Sequence, residues 1–560
     1  MNINLLLLSI FIILITIILT RFFVINIEKI YKFLFLLRYY LKNFFGLKKQ
    51  QNYFYTLEKY MENLTVSGKK YLKKNNYIFK KTNVNGISKI FSKYKILILS
   101  NKTSNFFKYK LGNEIFNKNL SNRSVNFLKI KTNNKKFNIL EDKSNEILKV
   151  FHINKNKKKL VLILFVDGMS NYLSNNLNNS LNFFGKANQF SKVFSNAPWT
   201  LPAFSNLITG QYTSTHLNYT PKSYYSNDKE INQISKIKSK LTVFEYFQNK
   251  GFVTGCYSPY VRINPTYNFD RGVDIFKHCE GSSADEIIDD LIAQIEFFKD
   301  TSNFIFAHFF DVHHKQKLHD RLSDFIYQSE KNLDYIKLNK KIKKSPIKKI
   351  NNKKLQTFLK QKNFSEEMEI INRIKLVDFR LQRLYNYLRS KKFDDYSIIL
   401  MGDHGTRLNS LNPTGNILDK YHQNIGFFIK DKKIKNFSQK KKNYIETIDI
   451  FPSLISKYGS VKSRSIIKQI NGKNSLFSNM KKENVFSESL YASDYNLLIN
   501  DQENYQYSSY KINNNKITSH LETKYYDKNQ KEVITKNKKF PFNKLKKLEK
   551  QHIQNSQIKK

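Results

Sequence analysis

The chain has 560 residues, and its 96 Lys and Arg against 45 Asp and Glu give a formal net charge of +51. A hydrophobic fraction of 40% and an aromatic fraction of 14% are ample for packed interiors, which excludes wholesale disorder. The length favours two or three domains over a single core.

The positive charge is spread along the chain and accompanies an abundance of Asn, Ile and Phe. This joint enrichment is typical of codons from an AT-rich genome, and no nucleic-acid-binding motif accompanies it. We therefore expect no nucleic-acid partner. Two cysteines, Cys256 and Cys279, are too few for a disulfide framework or a Cys-rich zinc site, and they leave the redox compartment open.

Residues 1–24 predict a transmembrane anchor. Their uncharged run from Ile3 to Thr20 is just long enough to cross a bilayer as a helix. No basic residues precede this run and no small-residue cleavage site follows it, so we expect a retained anchor and not a signal peptide. The basic residues after the run favour a cytoplasmic catalytic region, but in so lysine-rich a chain the rule discriminates little, and the membrane face stays open.

Two regions separate this anchor from the chemistry. Residues 25–49 mix aromatic and basic side chains, which indicates a basic amphipathic juxtamembrane segment at the headgroups, with a second, poor span as the alternative. Residues 50–150 alternate short apolar runs with Lys/Asn-rich turns. That pattern predicts a small β-containing or mixed region of unknown role.

From residue 157 the pattern changes to that of a parallel sheet. The apolar run Leu160–Val166 predicts a strand buried on both faces, and it ends at Asp167 and Gly168. A helix capped by Ser283 and Glu286 leads into "NFIFAHFF". A second amphipathic helix, expected to begin at Ser365, leads into "YSIILM". These units predict a doubly wound α/β architecture with an insertion at about residues 315–364.

Polar side chains follow each of the three predicted strands. Asp167, Asp403 and His404 are metal-ligand types, and open α/β sheets place their sites at the carboxyl ends of strands. Each has an alternative role as a helix cap or turn residue. Thr200 stands in a Pro-flanked turn beside the only tryptophan, Trp199.

Seven short motifs occur in order between about Lys157 and about Glu532. They are "VDG", "FSNAPWTLPAFSNLITGQYTSTH", "LTVFEYFQNKGFVTGCYS", "NFDRGVDIF", "HFFDVHH", "MGDHGTR" and "IETIDIFPSLISKYG". Together they resemble the sulfatase-like branch of the alkaline phosphatase superfamily. The resemblance implies a catalytic domain at residues 157–535, with a mostly parallel sheet and a small C-terminal antiparallel region. Residues 536–560 then read as a loose basic tail.

The same resemblance implies roles for particular residues. Asp167, Thr200, Asp403 and His404 would hold one divalent metal ion, Ca, Mn or Zn. Thr200 would be the nucleophile, and His313 would contact the substrate or protonate the leaving group. Weaker candidates for a second metal are Asp311 and His422. Lys315 stands where two-metal relatives carry a further His, so one metal is favoured.

The nucleophile segment departs from the pattern of true sulfatases. Those enzymes oxidise a Cys or Ser to formylglycine within a Cys-x-Pro-x-Arg motif, whereas this chain has Thr200, Pro202 and Phe204 at those positions. No formylglycine is therefore expected, and phosphodiesters or phosphomonoesters are favoured over sulfate esters. A lipid or a glycan could carry the ester, and hydrolysis and transfer both stay open. The alternative is a catalytically degenerate member that binds ligands.

Other conspicuous residues have plainer interpretations. Trp199 is predicted to pack the nucleophile turn against the core. Three further histidines, His278, His308 and His314, are predicted to be structural or exposed to solvent. Glu488 is predicted to make a structural contact of the C-terminal region.

Overall fold

The structure is a computed structural model. It describes residues 71–74, 77–80, 94–101, 106–119, 125–131, 137–140, 145–152, 158–219, 237–260, 262–278, 283–313, 352–406, 418–434, 437, 443–459, 470–473, 476–478, 481–491, 493–534 and 540–558. All of them belong to one compact unit. The predicted anchor and juxtamembrane segment, residues 1–49, lie outside the described residues. Within the described residues, no helix combines the length and the apolar character that crossing a bilayer requires.

The strands of the described part are β1 (Tyr71–Lys74), β2 (Tyr77–Lys80), β3 (Tyr94–Asn101), β4 (Phe106–Leu111), β5 (Glu114–Asn119), β6 (Val125–Lys131), β7 (Phe137–Ile139), β8 (Asn145–His152), β9 (Lys159–Val166), β10 (Gln189–Phe190), β11 (Val193–Phe194), β12 (Val253–Ser258), β13 (Ile275–His278), β14 (Asn303–Phe309), β15 (Asp395–Gly402), β16 (Phe427–Asp431), β17 (Ile445–Glu446), β18 (Asn484–Tyr491), β19 (Asp494–Asp501), β20 (Asn504–Asn513) and β21 (Lys516–Tyr526). Its helices are α1 (Asn178–Phe184), α2 (Thr200–Thr209), α3 (Thr213–His216), α4 (Val243–Asn249), α5 (Ala284–Phe297), α6 (Asn352–Ser390), α7 (Lys420–Gln423), α8 (Ile450–Tyr458) and α9 (Phe542–Gln554).

A nine-stranded sheet in the order β1-β2-β13-β12-β14-β9-β15-β16-β10 forms the centre. Its five middle strands, from β13 to β15, run parallel to one another. The strands on either side, β1 and β2 and then β16 and β10, are antiparallel to their neighbours. The prediction of a mostly parallel sheet therefore holds for the centre, and the sheet as a whole is mixed.

Strand β9 lies in the middle of this sheet because it is apolar on both faces. Residues 160–166 are at most 2% exposed. One face packs against α1, α5 and α6 in a single hydrophobic cluster. On the other face, Phe204 of α2 contacts Phe306 with ring centroids 4.7 Å apart, and Phe244 of α4 contacts Phe304 at 5.2 Å. Helices on both faces confirm the doubly wound α/β fold.

The region before residue 157 contributes strands to the described part. The β1–β2 hairpin extends the central sheet through antiparallel pairing of β2 with β13. The remaining strands form two three-stranded antiparallel sheets, β6-β3-β8 and β5-β4-β7.

Helix α6 is longer than the sequence predicts. It begins at Asn352 and not at Ser365, so it extends into the predicted insertion at about 315–364. Residues 352–364, which precede Ser365 in this helix, contain neither Gly nor Pro. Nothing in the local sequence therefore stops the helix at that point.

The C-terminal region contains the predicted antiparallel sheet, in the order β18-β19-β20-β21. The prediction of a loose tail at 536–560 is wrong, because α9 packs on this sheet. Leu545, Ile553 and Ile558 are buried in one cluster with Tyr495 and Tyr510. The apolar residues of α9 share one face of the helix, and the many lysines around them hide this periodicity in the composition.

Candidate metal and nucleophile site

Three buried side chains meet at the carboxyl ends of β9, β14 and β15. Val166 pairs with Phe309 on one side and with Gly402 on the other, so the three strands end level with one another. Asp167 and Asp403 come directly after β9 and β15, and His308 lies one position before the end of β14.

The ligand atoms of Asp167, His308 and Asp403 all lie within 4.8 Å of one another. Each of the three side chains is buried. In the part of the chain that the structure describes, no other group of three or more His, Cys, Asp and Glu side chains is arranged in this way. We refer to these residues as the triad.

The two carboxylate oxygens of Asp403 have different surroundings. Oδ1 accepts hydrogen bonds from the backbone N–H groups of Gly168 at 2.8 Å and His404 at 2.7 Å. Oδ2 is buried and makes no hydrogen bond within the described structure. Gly168 has φ of +65°, and a Cβ there would lie 2.9 Å from Oγ1 of Thr406, so the close turn after Asp167 requires glycine. Asp403 is thereby oriented with one oxygen available to a ligand.

Asp167 links the triad to the predicted nucleophile. Thr200 donates a hydrogen bond from Oγ1 to Oδ2 of Asp167 at 3.2 Å. Burial, followed by the nearby charge of Asp403, raises the pKa of Asp167 well above its ordinary value. Two buried carboxylates this close repel one another, and a cation between them would remove the repulsion.

His308 is the third member of the triad, and the prediction that it is structural or exposed missed it. Its Nδ1 lies 3.3 Å from Oγ of Ser258, and its Nε2 lies 3.8 Å from Oδ2 of Asp167. Burial lowers the pKa of His308 to about 4, so the ring is neutral at neutral pH. Nε2 is buried without a hydrogen bond in the described structure, which suits a metal ligand. The available signal was a histidine inside an otherwise apolar strand, next to the end of β9.

His404 lies beside the triad and not within it. Its Nδ1 faces the carbonyl oxygen of Gly405 at 2.8 Å, so Nδ1 carries the proton. The other ring nitrogen, Nε2, lies 3.2 Å from Oδ2 of Asp403. A backbone partner on one ring nitrogen is the usual way to orient a metal-binding histidine, so His404 remains a predicted ligand.

These donors fit a divalent cation. The group offers buried carboxylate oxygens, imidazole nitrogens and the Thr200 hydroxyl, and two of its polar atoms, Oδ2 of Asp403 and Nε2 of His308, have no hydrogen bond in the described structure. A mixed oxygen and nitrogen set of this kind suits Zn or Mn better than Ca, which prefers oxygen alone.

Thr200 is held at the start of α2. It is the first residue of this helix, after Trp199 in an extended conformation, and it is 3% exposed. The preceding segment is anchored to the metal loop, because Ser195 donates from Oγ to the carbonyl oxygen of Asp403 at 2.5 Å. The N-terminus of a helix favours negative charge, so the setting of Thr200 suits an anionic ester.

The other predicted residues lie near the triad in different roles. Asp311 accepts from the backbone N–H of Ala284 at 3.1 Å and forms an ion pair with Arg380, which ties the end of β14 to α5 and α6. These contacts give Asp311 a structural role. His313 is half-buried, and its ring stacks on Phe310 at 4.4 Å.

His313 is connected to the triad through aromatic rings. Phe310 stacks on Tyr260 at 4.7 Å, and the rings of Tyr260 and His308 are 5.9 Å apart.

His422 is buried, and its Nε2 lies 2.8 Å from the carbonyl oxygen of Pro198.

Comparisons with known proteins give one family match. A family model described as sulfatase matches residues 186–460. These residues are similar to a sulfatase domain. The match begins after Asp167. The position of this carboxylate in the site therefore comes from the structure and not from the family match. The resemblance drawn from the seven motifs is thereby confirmed. No curated protein sequence matches the chain.

Solved structures are similar to this chain at low sequence identity. The protein yidJ of Bacteroides fragilis, assigned as a sulfatase, is 14% identical over 73% of this chain and 97% of that one, with a TM-score of 0.53. A protein of Bacteroides thetaiotaomicron with the same assignment is 14% identical over 72% and 93%, with a TM-score of 0.49. A phosphonate monoester hydrolase of Silicibacter pomeroyi is 11% identical over 72% and 96%, with a TM-score of 0.48. The first of these similarities supports the α/β fold.

Proposed function

We propose that this protein is a membrane-anchored, metal-dependent enzyme that hydrolyses or transfers phosphate esters through Thr200. The observation that carries the proposal is the hydrogen bond from Thr200 Oγ1 to Asp167 Oδ2, within a buried triad of metal-ligand type. A fold does not need a buried cluster of carboxylates for its stability, because desolvating them costs free energy.

Asp167, His308 and Asp403, with His404 and Thr200 beside them, would hold the metal ion. A divalent cation in that position supplies positive charge that favours the ionised Thr200 hydroxyl and neutralises charge on the transferring group. The hydrogen bond that the Gly168 N–H donates to Asp403 Oδ1, at 2.8 Å, fixes the geometry of the ligands before substrate arrives.

Thr200 would then act as the nucleophile in two balanced steps. Its Oγ1 forms a bond to phosphorus, its proton passes to solvent, and the bond from phosphorus to the leaving oxygen breaks. His313, half-buried on the ring of Phe310, would protonate that leaving oxygen. A water or acceptor hydroxyl then attacks phosphorus, and the oxygen of Thr200 leaves and regains a proton.

Phosphate is favoured over sulfate because of the residue at the nucleophile position. A threonine cannot be oxidised to the aldehyde from which formylglycine chemistry starts, whereas its hydroxyl can form a phosphoester. Phe204 stands where the Arg of the formylglycine motif would be, and its ring is buried against Phe306. A lipid or a glycan would carry the ester.

Variants of Thr200 test this mechanism. Thr200→Ala should abolish turnover of aryl phosphodiesters and phosphomonoesters and keep the bound metal, whereas Thr200→Ser should keep measurable activity. Thr215→Ala, in the same segment but outside the site, is the matched control. Mass spectrometry of protein quenched during turnover should find a phosphate adduct on the peptide that contains Thr200. Wild-type rates in Thr200→Ala, or cleavage of sulfate esters only, would contradict the mechanism. No turnover by metal-loaded wild-type protein would favour the degenerate binding protein.

A further inference from the structure

Trp199, the residue before the predicted nucleophile, contacts both a cation and an exposed aromatic ring. It directly precedes Thr200 and is half-buried. The guanidinium carbon of Arg262 lies 4.9 Å from the centroid of its ring. The ring of Tyr491, which is 40% exposed, meets it edge-on with centroids 6.3 Å apart. A wall of three side chains therefore lies next to the predicted nucleophile.

The position of Arg262 in the fold brings its charge to the triad end of the sheet. Arg262 follows β12, whose last residue, Ser258, lies 3.3 Å from Nδ1 of His308. The next residues, Ile263 and Asn264, are fully buried and hold this segment in place. Arg262 itself is half-buried, so part of its side chain reaches solvent.

The chemistry of an arginine held over an aromatic ring suits recognition of an anion. A guanidinium carries its N–H groups in one plane, where they can bind a carboxylate or phosphate through two hydrogen bonds. The ring limits the rotamers of the side chain, so less entropy is lost when the anion binds. The triad itself adds two carboxylates to the site. A nearby cation would offset their repulsion of an anionic substrate.

We propose that Arg262, held on Trp199, forms a subsite for a second negatively charged group, carried on the alcohol part of the ester and distinct from the group that Thr200 attacks. This inference rests on the proposed function and narrows the range of substrates that the site would accept. The preferred substrate is a phosphate ester whose alcohol bears a carboxylate or a further phosphate. Through its edge-on contact with Trp199, Tyr491 would bring the C-terminal sheet into substrate recognition.

The protein provides its own probe for this subsite. Trp199 is the only tryptophan in the chain, so intrinsic tryptophan fluorescence reports on this position and no other. Two stable ligands distinguish one anionic group from two. Methylphosphonate carries the phosphonate alone, and phosphonoacetate adds a carboxylate to it. Binding of each to the metal-loaded full chain is followed by fluorescence titration, which does not depend on turnover.

Wild-type protein should bind phosphonoacetate about tenfold more tightly than methylphosphonate, the scale of one hydrogen-bonded charge pair. Arg262→Gln should lose about tenfold in affinity for phosphonoacetate and less than about twofold for methylphosphonate. Arg262→Lys should keep part of the preference, because the charge remains while the planar guanidinium with its paired N–H groups is lost.

Arg389→Gln is the matched control. Arg389 also lies over an aromatic ring, 5.4 Å from the centroid of Phe183, but at the far end of α6, before β15 begins. It should leave both affinities unchanged. A phosphonoacetate preference that survives in Arg262→Gln, or that is missing in wild-type protein, would overturn the subsite. If the preference depends on Arg262 but no phosphate ester is turned over, the subsite stands and the proposed reaction fails.

Discussion

The Nε2 atom of His422 donates a hydrogen bond to the carbonyl oxygen of Pro198 at 2.8 Å, just before the predicted nucleophile. The carbonyl can only accept, so Nε2 carries the proton. The ring of His422 also stacks on His404, with centroids 5.3 Å apart and an angle of 15° between the planes. The backbone carbonyl oxygen of His422 accepts a hydrogen bond from the N–H of Gly405 at 2.6 Å. One residue thus joins the nucleophile loop to the loop that carries the predicted ligands.

We expect His422 to position Thr200, and this accounts for the residue without a second metal. His422→Phe keeps the stacked ring but loses the donor, so kcat should fall about 10- to 100-fold while KM changes little, since small displacements of a nucleophile have effects of this size. His422→Gln places an amide N–H near the position of Nε2 and should recover part of the loss. Steady-state kinetics on an aryl phosphodiester measures both.

Metal content separates this role from direct ligation. Elemental analysis should find the same stoichiometry in His422→Phe as in wild-type protein. Exposed His520 provides the control variant His520→Gln, which should change neither kinetics nor metal content. A lower metal content in His422→Phe would show that His422 is a ligand.

His308 is expected to be a metal ligand. Wild-type protein should hold about one divalent ion per chain after extensive dialysis, as a site with these ligands would. His308→Ala should weaken metal binding at least about 100-fold, because loss of a ligand exceeds the 10- to 100-fold effect of losing a residue that supports one. Competition with a chelator measures the change.

His278 provides the comparison for that variant. It is a buried histidine at the end of β13, at the same edge of the sheet but outside the triad. His278→Gln should retain the metal. Full retention of the ion by His308→Ala would exclude His308 as a ligand.

Local sequence patterns are sufficient to predict the two carboxylates of the site. Asp167 and Asp403 each follow an apolar run that is long enough to indicate a buried strand, and this placed both at one edge of the sheet. His308 could not be assigned in this way, because its role depends on the register of β14 against β9 and not on its own neighbours in sequence. The tail was misread for a similar reason, since only packing against β19 and β20 shows why α9 is ordered.

The C-terminal helix should contribute to the stability of the region around Thr200. His552 of α9 bonds to Oε1 of buried Glu488 at 2.7 Å, and Glu488 Oε2 accepts from the N–H of Ser214 at 2.8 Å, in the helix that follows α2. His552→Ala leaves a buried carboxylate short of a partner, which should lower the free energy of unfolding by about 1–3 kcal/mol. Urea unfolding at neutral pH measures it.

The dependence on pH gives this prediction a second test. Burial would raise the pKa of Glu488, but its bonds to His552 and Ser214 outweigh burial and hold the pKa below its ordinary value. The charged form therefore stabilises the fold at neutral pH, and this contribution is lost as pH falls through the lowered pKa. Glu488→Gln should be destabilised at neutral pH, and its difference from wild-type protein should shrink on acidification. Equal stability of the two proteins at neutral pH would contradict the role of Glu488.

The anchor prediction concerns residues outside the described part of the chain. A helix over the uncharged run Ile3–Thr20 would be about 27 Å long, close to the ~30 Å hydrocarbon thickness of a bilayer. Full-length protein should sediment with membranes and resist both high salt and alkaline carbonate, and deletion through Lys49 should release it.

The double substitution Ile12→Arg and Leu14→Arg should abolish insertion, because each central arginine costs about 2.5–3.5 kcal/mol. The apolar exchange Ile12→Leu with Leu14→Ile is the control and should stay membrane-bound. Release of the full-length protein by salt would instead indicate electrostatic attachment through the basic segment at residues 25–49, and the transmembrane prediction would be wrong.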